Sequence, residues 1–178
     1  MKKICMILTL AFVSISASAS FVISPGISYI DRKQDASTPG AINSSSNETR
    51  ADIRVGYILP MGLYLGGMYS HIGSDNNAID SSGNLIGPSV GYYSLMGFYT
   101  MLTYHITGEV GDANKYSGGK GPQIDVGWVF PLTANFSLGP QLTYRSIEFD
   151  KLESGGVTVD TDFKDTTIAP YLSLWFMF

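Results

Sequence analysis

The stretch that decides the fold is Ile168-Ala169-Pro170-Tyr171-Leu172-Ser173-Leu174-Trp175-Phe176-Met177-Phe178. One set of alternate positions, from Ile168 to Phe178, is wholly apolar. The other set is mixed and consists of Ala169, Tyr171, Ser173, Trp175 and Met177. Successive side chains of a β-strand point to opposite faces, so this period of two predicts a strand with one apolar and one mixed face.

The same alternation recurs in residues 51–59, 122–130 and 136–144. In each of these segments one face is apolar, and the opposite face holds small or polar residues such as Asp52 and Asp125. Each segment has about the 9–11 residues that a tilted membrane-spanning strand needs. The pattern therefore favours strands with an apolar outside and a polar inside.

Extending this pattern along the chain predicts eight strands, with ranges 21–32, 50–59, 63–73, 85–93, 97–110, 121–130, 136–149 and 166–178. Three connections, at 59–62, 93–96 and 131–135, are short. The other four are longer and rich in Ser, Asn, Asp and Gly, and they cover 33–49, 74–84, 111–120 and 150–165. Short periplasmic turns and longer extracellular loops are typical of outer-membrane barrels. The predicted fold is an all-β, eight-stranded antiparallel transmembrane β-barrel.

The N-terminus has the pattern of a secretory signal peptide. Lys2 and Lys3 precede an apolar run over residues 4–15 and small residues over 16–20, as export signals do. Cleavage after Ala19 divides the chain into a signal peptide, 1–19, and a barrel domain, 20–178. The one cysteine, Cys5, lies in the signal, so a mature chain without thiols is expected. That excludes disulfides, zinc–thiolate sites and cysteine nucleophiles.

Charge and composition narrow the classes of partner. The chain has 11 basic and 15 acidic residues, and loss of Lys2 and Lys3 with the signal makes the balance more acidic. An acidic chain of this kind predicts no nucleic-acid partner. Charged residues make up 15% of the chain, below the ~25% of ordinary soluble domains. The 11 tyrosines, 9 phenylalanines and 20 glycines favour strands over helices.

Three copies of a Val-Gly-aromatic pattern close the descending strands. They are Val55-Gly56-Tyr57, Val90-Gly91-Tyr92 and Val126-Gly127-Trp128. The aromatic residues Tyr57, Tyr92 and Trp128 are predicted to point outward near the periplasmic turns, where amphipathic rings lie at the level of the lipid headgroups.

Residues 21–178 resemble the small eight-stranded outer-membrane β-barrel family that includes the OmpA membrane domain and OmpX. The resemblance depends on hairpins such as 127–140 and on the C-terminal strand, which looks like the signal read by the barrel-assembly machinery of Gram-negative bacteria. The residues of that signal are Leu172, Leu174, Phe176 and Phe178. The resemblance implies an outer-membrane location, a monomer, and lipids, periplasmic chaperones and the assembly machinery as partners. It implies no single activity.

Polar residues predicted on the inner face form the candidate site, and they are Asp52, Arg54, His105, Glu109, Asp125, Gln141, Arg145 and Tyr171. An eight-stranded barrel is just wide enough for its own side chains to fill it. These groups are therefore interpreted as a plug of paired charges. The alternative is a gate, in which the pairs exchange and open a narrow path.

Catalysis and metal binding find little support in the sequence. His105, Thr107 and Glu109 occupy alternate positions of one strand, which places neighbours about 6.5–7 Å apart, beyond hydrogen-bond reach. The loop carboxylates, such as Asp160 and Asp162, do not have the spacing of a calcium loop. The chain is therefore predicted not to be an enzyme and to need no cofactor or metal.

The predicted function is a structural or surface-interaction role, similar to that of an adhesin, with any specific ligand bound by loops 33–49 and 150–165. Three alternatives stay open. They are a narrow or gated pore for small solutes or ions, a lipid-modifying enzyme, and a soluble lipocalin-like binder in which the apolar face lines a ligand pocket.

Overall fold

The computed structural model describes residues 19–34, 44–76, 79–111 and 114–178, and these form β-strands joined by turns. The strands are β1 Ser20–Gln34, β2 Ser44–Ile58, β3 Leu63–Asn76, β4 Ile79–Tyr93, β5 Phe98–His105, β6 Thr107–Gly111, β7 Asn114–Ser117, β8 Gly121–Trp128, β9 Phe130–Pro131, β10 Phe136–Ser154 and β11 Val157–Met177. No helix in this part of the chain is long and apolar enough to cross a membrane. Residues 1–18 of the predicted signal peptide lie outside the described ranges.

The strands close into a ring. Neighbours around the ring pair antiparallel, and β11 closes it by pairing with both β10 and β1. β5 continues into β6, and β7 continues through β8 to β9, so each of these runs forms one strand of the wall. The wall therefore has eight antiparallel strands, as the sequence predicted.

The strands end later than predicted on the side of the barrel opposite the short turns, which is called the upper side below. The three short turns lie where they were predicted, but β2, β4, β10 and β11 extend well into the predicted loops. In place of a loop over 150–165, β10 and β11 form a hairpin that turns at Gly155 and Gly156, whose φ angles are 57° and 81°. Two positive φ angles fit a tight hairpin turn, which glycine adopts at low cost. Of the predicted loop 33–49, residues 35–43 lie outside the described ranges.

The outer surface of the wall carries an apolar band. Its members are between 40% and 56% exposed, and they include Ile53, Val55, Leu65, Ile86, Val90, Leu102, Ile124, Val126, Leu142 and Leu172. Alternate residues of the same strands are buried inside the ring. An apolar outer band around a polar interior is the surface pattern of a barrel that faces lipid.

A β-bulge between β5 and β6 exchanges the two faces of this strand. Ser89 pairs with Thr103 below the bulge, whereas Ile86 pairs with Thr107 above it, which shifts the register by one residue. The break lies opposite Pro88, which has no N–H to donate to the ladder. Because a one-residue shift moves the following side chains of the strand to the other face, the residues of β6 point opposite to their predicted direction.

Placing a charge in the apolar band should destabilise the barrel. Val126 is 42% exposed on the outer face of β8, two residues from the interfacial Trp128, and Arg on the lipid face costs from about 0–1 kcal/mol near the interface to about 2–4 kcal/mol at the bilayer midplane. Val126→Arg should lower the free energy of unfolding in phospholipid vesicles by an intermediate amount, about 1–2 kcal/mol, measured by urea titration. Val126→Leu is the matched control. If the arginine variant were as stable as the leucine variant, this face would not be in contact with lipid.

Candidate functional site

The interior of the ring is filled in layers. Near the short turns lies an apolar cluster of Val22, Tyr64, Tyr99, Met101, Val129 and Trp175. At the opposite end lies a second apolar cluster of Ile72, Leu85, Ile147 and Phe149. Buried charged and polar side chains occupy the space between these clusters, so the polar part of the interior is bounded by apolar packing at both ends.

The first ion pair of this network joins β2 to β8. Arg54 Nη2 lies 2.5 Å from Asp125 Oδ2, and both side chains are fully buried. Asp125 also accepts hydrogen bonds from Thr143 Oγ1 at 2.6 Å, from Gln123 Nε2 at 3.0 Å and from Gln141 Nε2 at 3.1 Å. A buried carboxylate needs both a counter-charge and several donors to compensate for its lost hydration, and Asp125 has both.

The second ion pair joins β2 to β10. Arg145 Nη2 donates to the two carboxylate oxygens of Asp52 at 3.1 and 3.2 Å, and Ser70 donates to the same carboxylate. Gln123 connects this pair to the first, because its Oε1 accepts from Arg145 Nε at 2.7 Å while its Nε2 donates to Asp125. His105 Nε2 lies 3.0 Å from the same Gln123 oxygen.

A third buried arginine, Arg50, was not among the predicted site residues. It is paired with Glu48, donates to Thr167 Oγ1 at 2.9 Å, and lies 3.6 Å from Asp165. Glu48 and Arg50 continue the inner face of Asp52 and Arg54 at alternate positions. The alternation was therefore present in the sequence, but the predicted strand began at residue 50, which excluded Glu48, and the inner face was counted only from Asp52.

Seven of the eight predicted interior residues lie inside the ring, and they are Asp52, Arg54, His105, Asp125, Gln141, Arg145 and Tyr171. Glu109 is the exception, because the bulge at Ile106 reverses its direction. Its side chain is 45% exposed and forms an ion pair with Lys115 at 2.6 Å, an interaction that raises the pKa of Lys115. Thr107 is also exposed, so the structure does not assemble His105, Thr107 and Glu109 into one site.

An aromatic layer lies between the charged network and the short turns, and its residues were not among the predicted site residues. Trp175 is fully buried, with ring centroids 4.8 Å from Tyr99, 5.0 Å from Tyr93 and 6.4 Å from Tyr64. The Tyr99 hydroxyl donates to Gln141 Oε1 at 2.8 Å and so connects this layer to the network. These aromatic residues occupy the inward-facing alternate positions of their strands. Tyr and Trp also occur on the lipid face, so residue type alone did not show which aromatic side chains lie inside.

The aromatic residues predicted to face outward do so. Tyr57, Tyr92 and Trp128 are about half exposed at the end with the short turns. Tyr57 packs beside Phe21, and Trp128 packs edge-on against Phe98. The four residues of the predicted assembly signal also lie on the outer face of β11 or directly after it, and they are Leu172, Leu174, Phe176 and Phe178.

Among the residues whose side chains the structure describes, the buried charges balance one another. Arg50, Arg54 and Arg145 face three buried carboxylates, those of Glu48, Asp52 and Asp125. In the described part of the chain, no group of three or more His, Cys, Asp and Glu side chains is placed to hold a metal ion. The arrangement is a neutral, cross-linked polar core whose bonds connect strands on opposite sides of the ring.

A groove of about 600 Å³ lies outside the wall, where β8 and β10 leave the apolar band. Tyr104 and Tyr144 line its lower part, and its charged rim consists of Lys120, Glu148, Asp150, Asp162 and Lys164. Lys164 Nζ lies 2.8 Å from Glu148, which raises the pKa of Lys164. The groove combines interfacial aromatic rings with charges of both signs.

A closed antiparallel ring of eight strands with an apolar outer band and a paired-charge interior defines an outer-membrane-type β-barrel. The solved structures that it resembles belong to this class. The crystal structure of Neisserial surface protein A matches over 90% of this chain and 99% of its own, with a TM-score of 0.52 and 13% identity. At that identity the likeness shows the shared fold.

Two longer chains match less well. The β-domain of the Bordetella autotransporter BrkA has a TM-score of 0.42 and 15% identity, with 88% of this chain and 69% of its own covered. OmpT of Vibrio cholerae in its trimer form has a TM-score of 0.39 and 11% identity, with 89% and 52% covered. No protein-family model and no curated protein sequence matches the chain.

The prediction that the protein is not an enzyme is corrected here. The likeness to Neisserial surface protein A shows a barrel fold, and one fold can support unrelated activities. The fold therefore gives no ground for excluding catalysis, and the prediction, which was based on the spacing of His105, Thr107 and Glu109, was wrong to exclude it.

Proposed function

We propose that this chain is an integral outer-membrane protein that uses a rigid barrel to present a surface-interaction sheet outside the cell. The observation that carries the proposal is the combination of an apolar outer band with an interior filled by paired charges. A filled interior stabilises the wall and contributes rigidity, which suits a support better than an open conduit.

The presented surface is the projecting sheet, defined as β6, β7 and the upper parts of β10 and β11, residues 148–154 and 157–164. β7 pairs with β6 on one side and with β10 on the other, and β10 pairs with β11 up to Ser154 and Val157. Tyr116 stacks on Phe163 with ring centroids 4.4 Å apart, and Phe149 packs beside them. This aromatic cluster gives the sheet a fixed shape.

Exposed apolar residues near the tip support an interaction role. Val157 is 62% exposed and Val159 is 49% exposed, beside acidic residues of the same hairpin such as Asp160. Apolar side chains on a projecting surface favour contact with another macromolecule. The proposal includes export by the N-terminal signal, periplasmic chaperones and the barrel-assembly machinery as folding partners, and a monomeric state.

Shortening the hairpin tests the surface role. Replacing residues 151–160 with Gly-Gly should leave a barrel that still shifts in gel mobility on boiling, because the tip lies outside the apolar band. Cells of a non-adherent Gram-negative strain that express the full chain should bind a cultured cell monolayer or aggregate. Cells with the shortened chain should lose that property. Equal adherence of both strains to every surface would contradict the proposal.

Planar-bilayer recording tests the alternative of a pore. Because Arg54–Asp125 and Arg145–Asp52 occupy the middle of the interior, the refolded protein should show no conductance above that of the bare bilayer. The matched test is Arg54→Ala with Arg145→Ala, which removes two buried arginines. Steady channels in the unmodified protein that this double variant alters would favour the gated pore.

A further inference from the structure

The wall is incompletely paired at the seam, defined as the boundary between β1 and β11. Their pairing runs from Val22 opposite Met177 to Ile27 opposite Leu172 and then ends. Both strands continue upward, since β1 stays paired with β2 to Gln34 and β11 stays paired with β10 to Val157. Among the described residues, each of these two strands therefore has one edge without a strand partner above this point.

Two prolines interrupt the pairing along the seam, Pro25 within the paired stretch and Pro170 just above it. Phe21 and Phe178 exchange both backbone hydrogen bonds across the seam, and in antiparallel strands every second residue directs its backbone groups to the same neighbour. By that count, Pro25 on β1 and Pro170 on β11 both face the seam. Proline has no N–H, so each removes one donor from this boundary. Pro170 is the residue that would face Tyr29, just above the last pair.

Two outer side chains along the upper seam are less covered than those of the apolar band. Tyr29 is 63% exposed and Ile168 is 66% exposed, above the 40–56% of the apolar band. Ile27 and Leu172, at the last pair, are also exposed and apolar. The seam is thus lined on its lipid side by apolar groups.

Inside the seam, a side chain spans the place where backbone pairing is missing. Arg50 starts on β2, and its Nη2 reaches Thr167 on β11, with Asp165 of the same strand at 3.6 Å. Ser28 lies between them on β1, opposite Arg50 in the register. The seam is therefore connected from inside by Arg50 rather than by a backbone ladder.

Buried groups with free hydrogen-bonding capacity line the same part of the interior. Of the buried side-chain atoms that have no hydrogen-bond partner among the described residues, four belong to this region, and they are Arg50 Nη1, Arg145 Nη1, the Tyr171 hydroxyl and the Ser28 hydroxyl. The Tyr171 hydroxyl lies near both arginines. All four can donate, and two belong to guanidinium groups, which bind carboxylate and phosphate oxygens well. The nearby carboxylates are those of Glu48, Asp52 and Asp165.

We propose that the upper seam is a binding site for the oxyanion headgroup of a single-chain amphiphile, a carboxylate or phosphate, which enters from the lipid between β1 and β11. The headgroup takes the place of Asp165, whose contact with Arg50 is the longest in the network, and it accepts hydrogen bonds from Arg50, Arg145 and Tyr171. The chain lies outside, against Ile27, Ile168 and Leu172. This site is separate from the projecting sheet and goes beyond the proposed surface role.

Calorimetric titration tests the site. The full chain carrying Cys5→Ser, refolded in a neutral detergent, is titrated with dodecyl phosphate and, separately, with inorganic phosphate. Dodecyl phosphate should bind at one saturable site. Arg50→Gln should weaken it at least about tenfold, because a charge-assisted hydrogen bond is lost. Lys164→Gln, which removes an exposed charge outside the wall, should leave the affinity unchanged. Equal loss in both variants would overturn the proposal.

A disulfide across the seam distinguishes entry from the lipid from entry through the barrel mouth. Tyr29→Cys with Pro170→Cys places two thiols at opposed positions, within reach of a disulfide if the strands close. Oxidation should abolish binding of dodecyl phosphate, and reduction should restore it. Undiminished binding in the oxidised protein, or inorganic phosphate binding as tightly as dodecyl phosphate, would overturn lateral entry. A shift in gel mobility on boiling verifies that each variant folds. If Arg50→Gln does not fold, Tyr171→Phe replaces it, with a smaller expected loss of affinity for dodecyl phosphate.

Discussion

Asp125→Ala should lower the free energy of unfolding by about 3–5 kcal/mol, the usual cost of removing one partner of a buried ion pair. Asp125 is fully buried against Arg54 and accepts hydrogen bonds from Gln123, Gln141 and Thr143. Without it, the guanidinium stays in the interior with no matching charge, and three donors lose their acceptor. Urea titration in detergent micelles, read by gel mobility and tryptophan fluorescence, measures the change.

Two controls separate this effect from a general loss of charge. Glu153→Ala removes an exposed acid of the projecting sheet and should change stability by no more than about 0.5 kcal/mol. Arg54→Met with Asp125→Leu removes both charges together and should recover much of the loss, since apolar replacement of a whole buried pair is often neutral. If Asp125→Ala were as stable as the unmodified protein, the network would not hold the wall together.

Trp175→Ala should destabilise the barrel by about 3–5 kcal/mol, as expected when a large buried aromatic side chain is truncated. The ring is fully buried at the bottom of the interior and contacts Tyr64, Tyr93 and Tyr99. Its removal leaves a cavity that the rigid strands cannot close. The same urea titration measures this loss.

Trp128 provides the matched comparison. It lies on the outer face, 45% exposed, where lipid can fill the space left by truncation. Trp128→Ala should therefore cost clearly less than Trp175→Ala, and Trp175→Phe should fall between the two. Equal losses for the two alanine variants would mean that Trp175 is not packed in the interior as described.

The interior network was largely predictable because strand geometry is simple. Once the apolar face of each strand was assigned to the outside, the alternate positions placed Asp52, Arg54, Asp125 and Arg145 inside, and the structure places them there. The partners of each charge were not predictable. Which arginine meets which carboxylate depends on the stagger of strands that are far apart in sequence, such as β2 and β8.

The upper ends of the strands were harder to predict. Above the apolar band both faces of a hairpin can meet water, so the alternation that marks a membrane strand disappears. Residues 150–165 look like a polar loop in sequence, yet cross-strand pairing continues up to the Gly155-Gly156 turn. Pairing with β7 and the packing of Phe163 on Tyr116 extend the strands there, and neither contact is local in sequence.

The sequence by itself determined the class of fold, the number of wall strands, the short turns and the direction of most side chains, because these follow from local period and turn composition. Only the tertiary structure decided the position of Glu109, the pairing of the interior charges and the incomplete seam. A one-residue bulge at Ile106 and two prolines facing the same boundary alter register and pairing between strands. Their effect depends on which neighbour each backbone group faces, and that is fixed only when the ring closes.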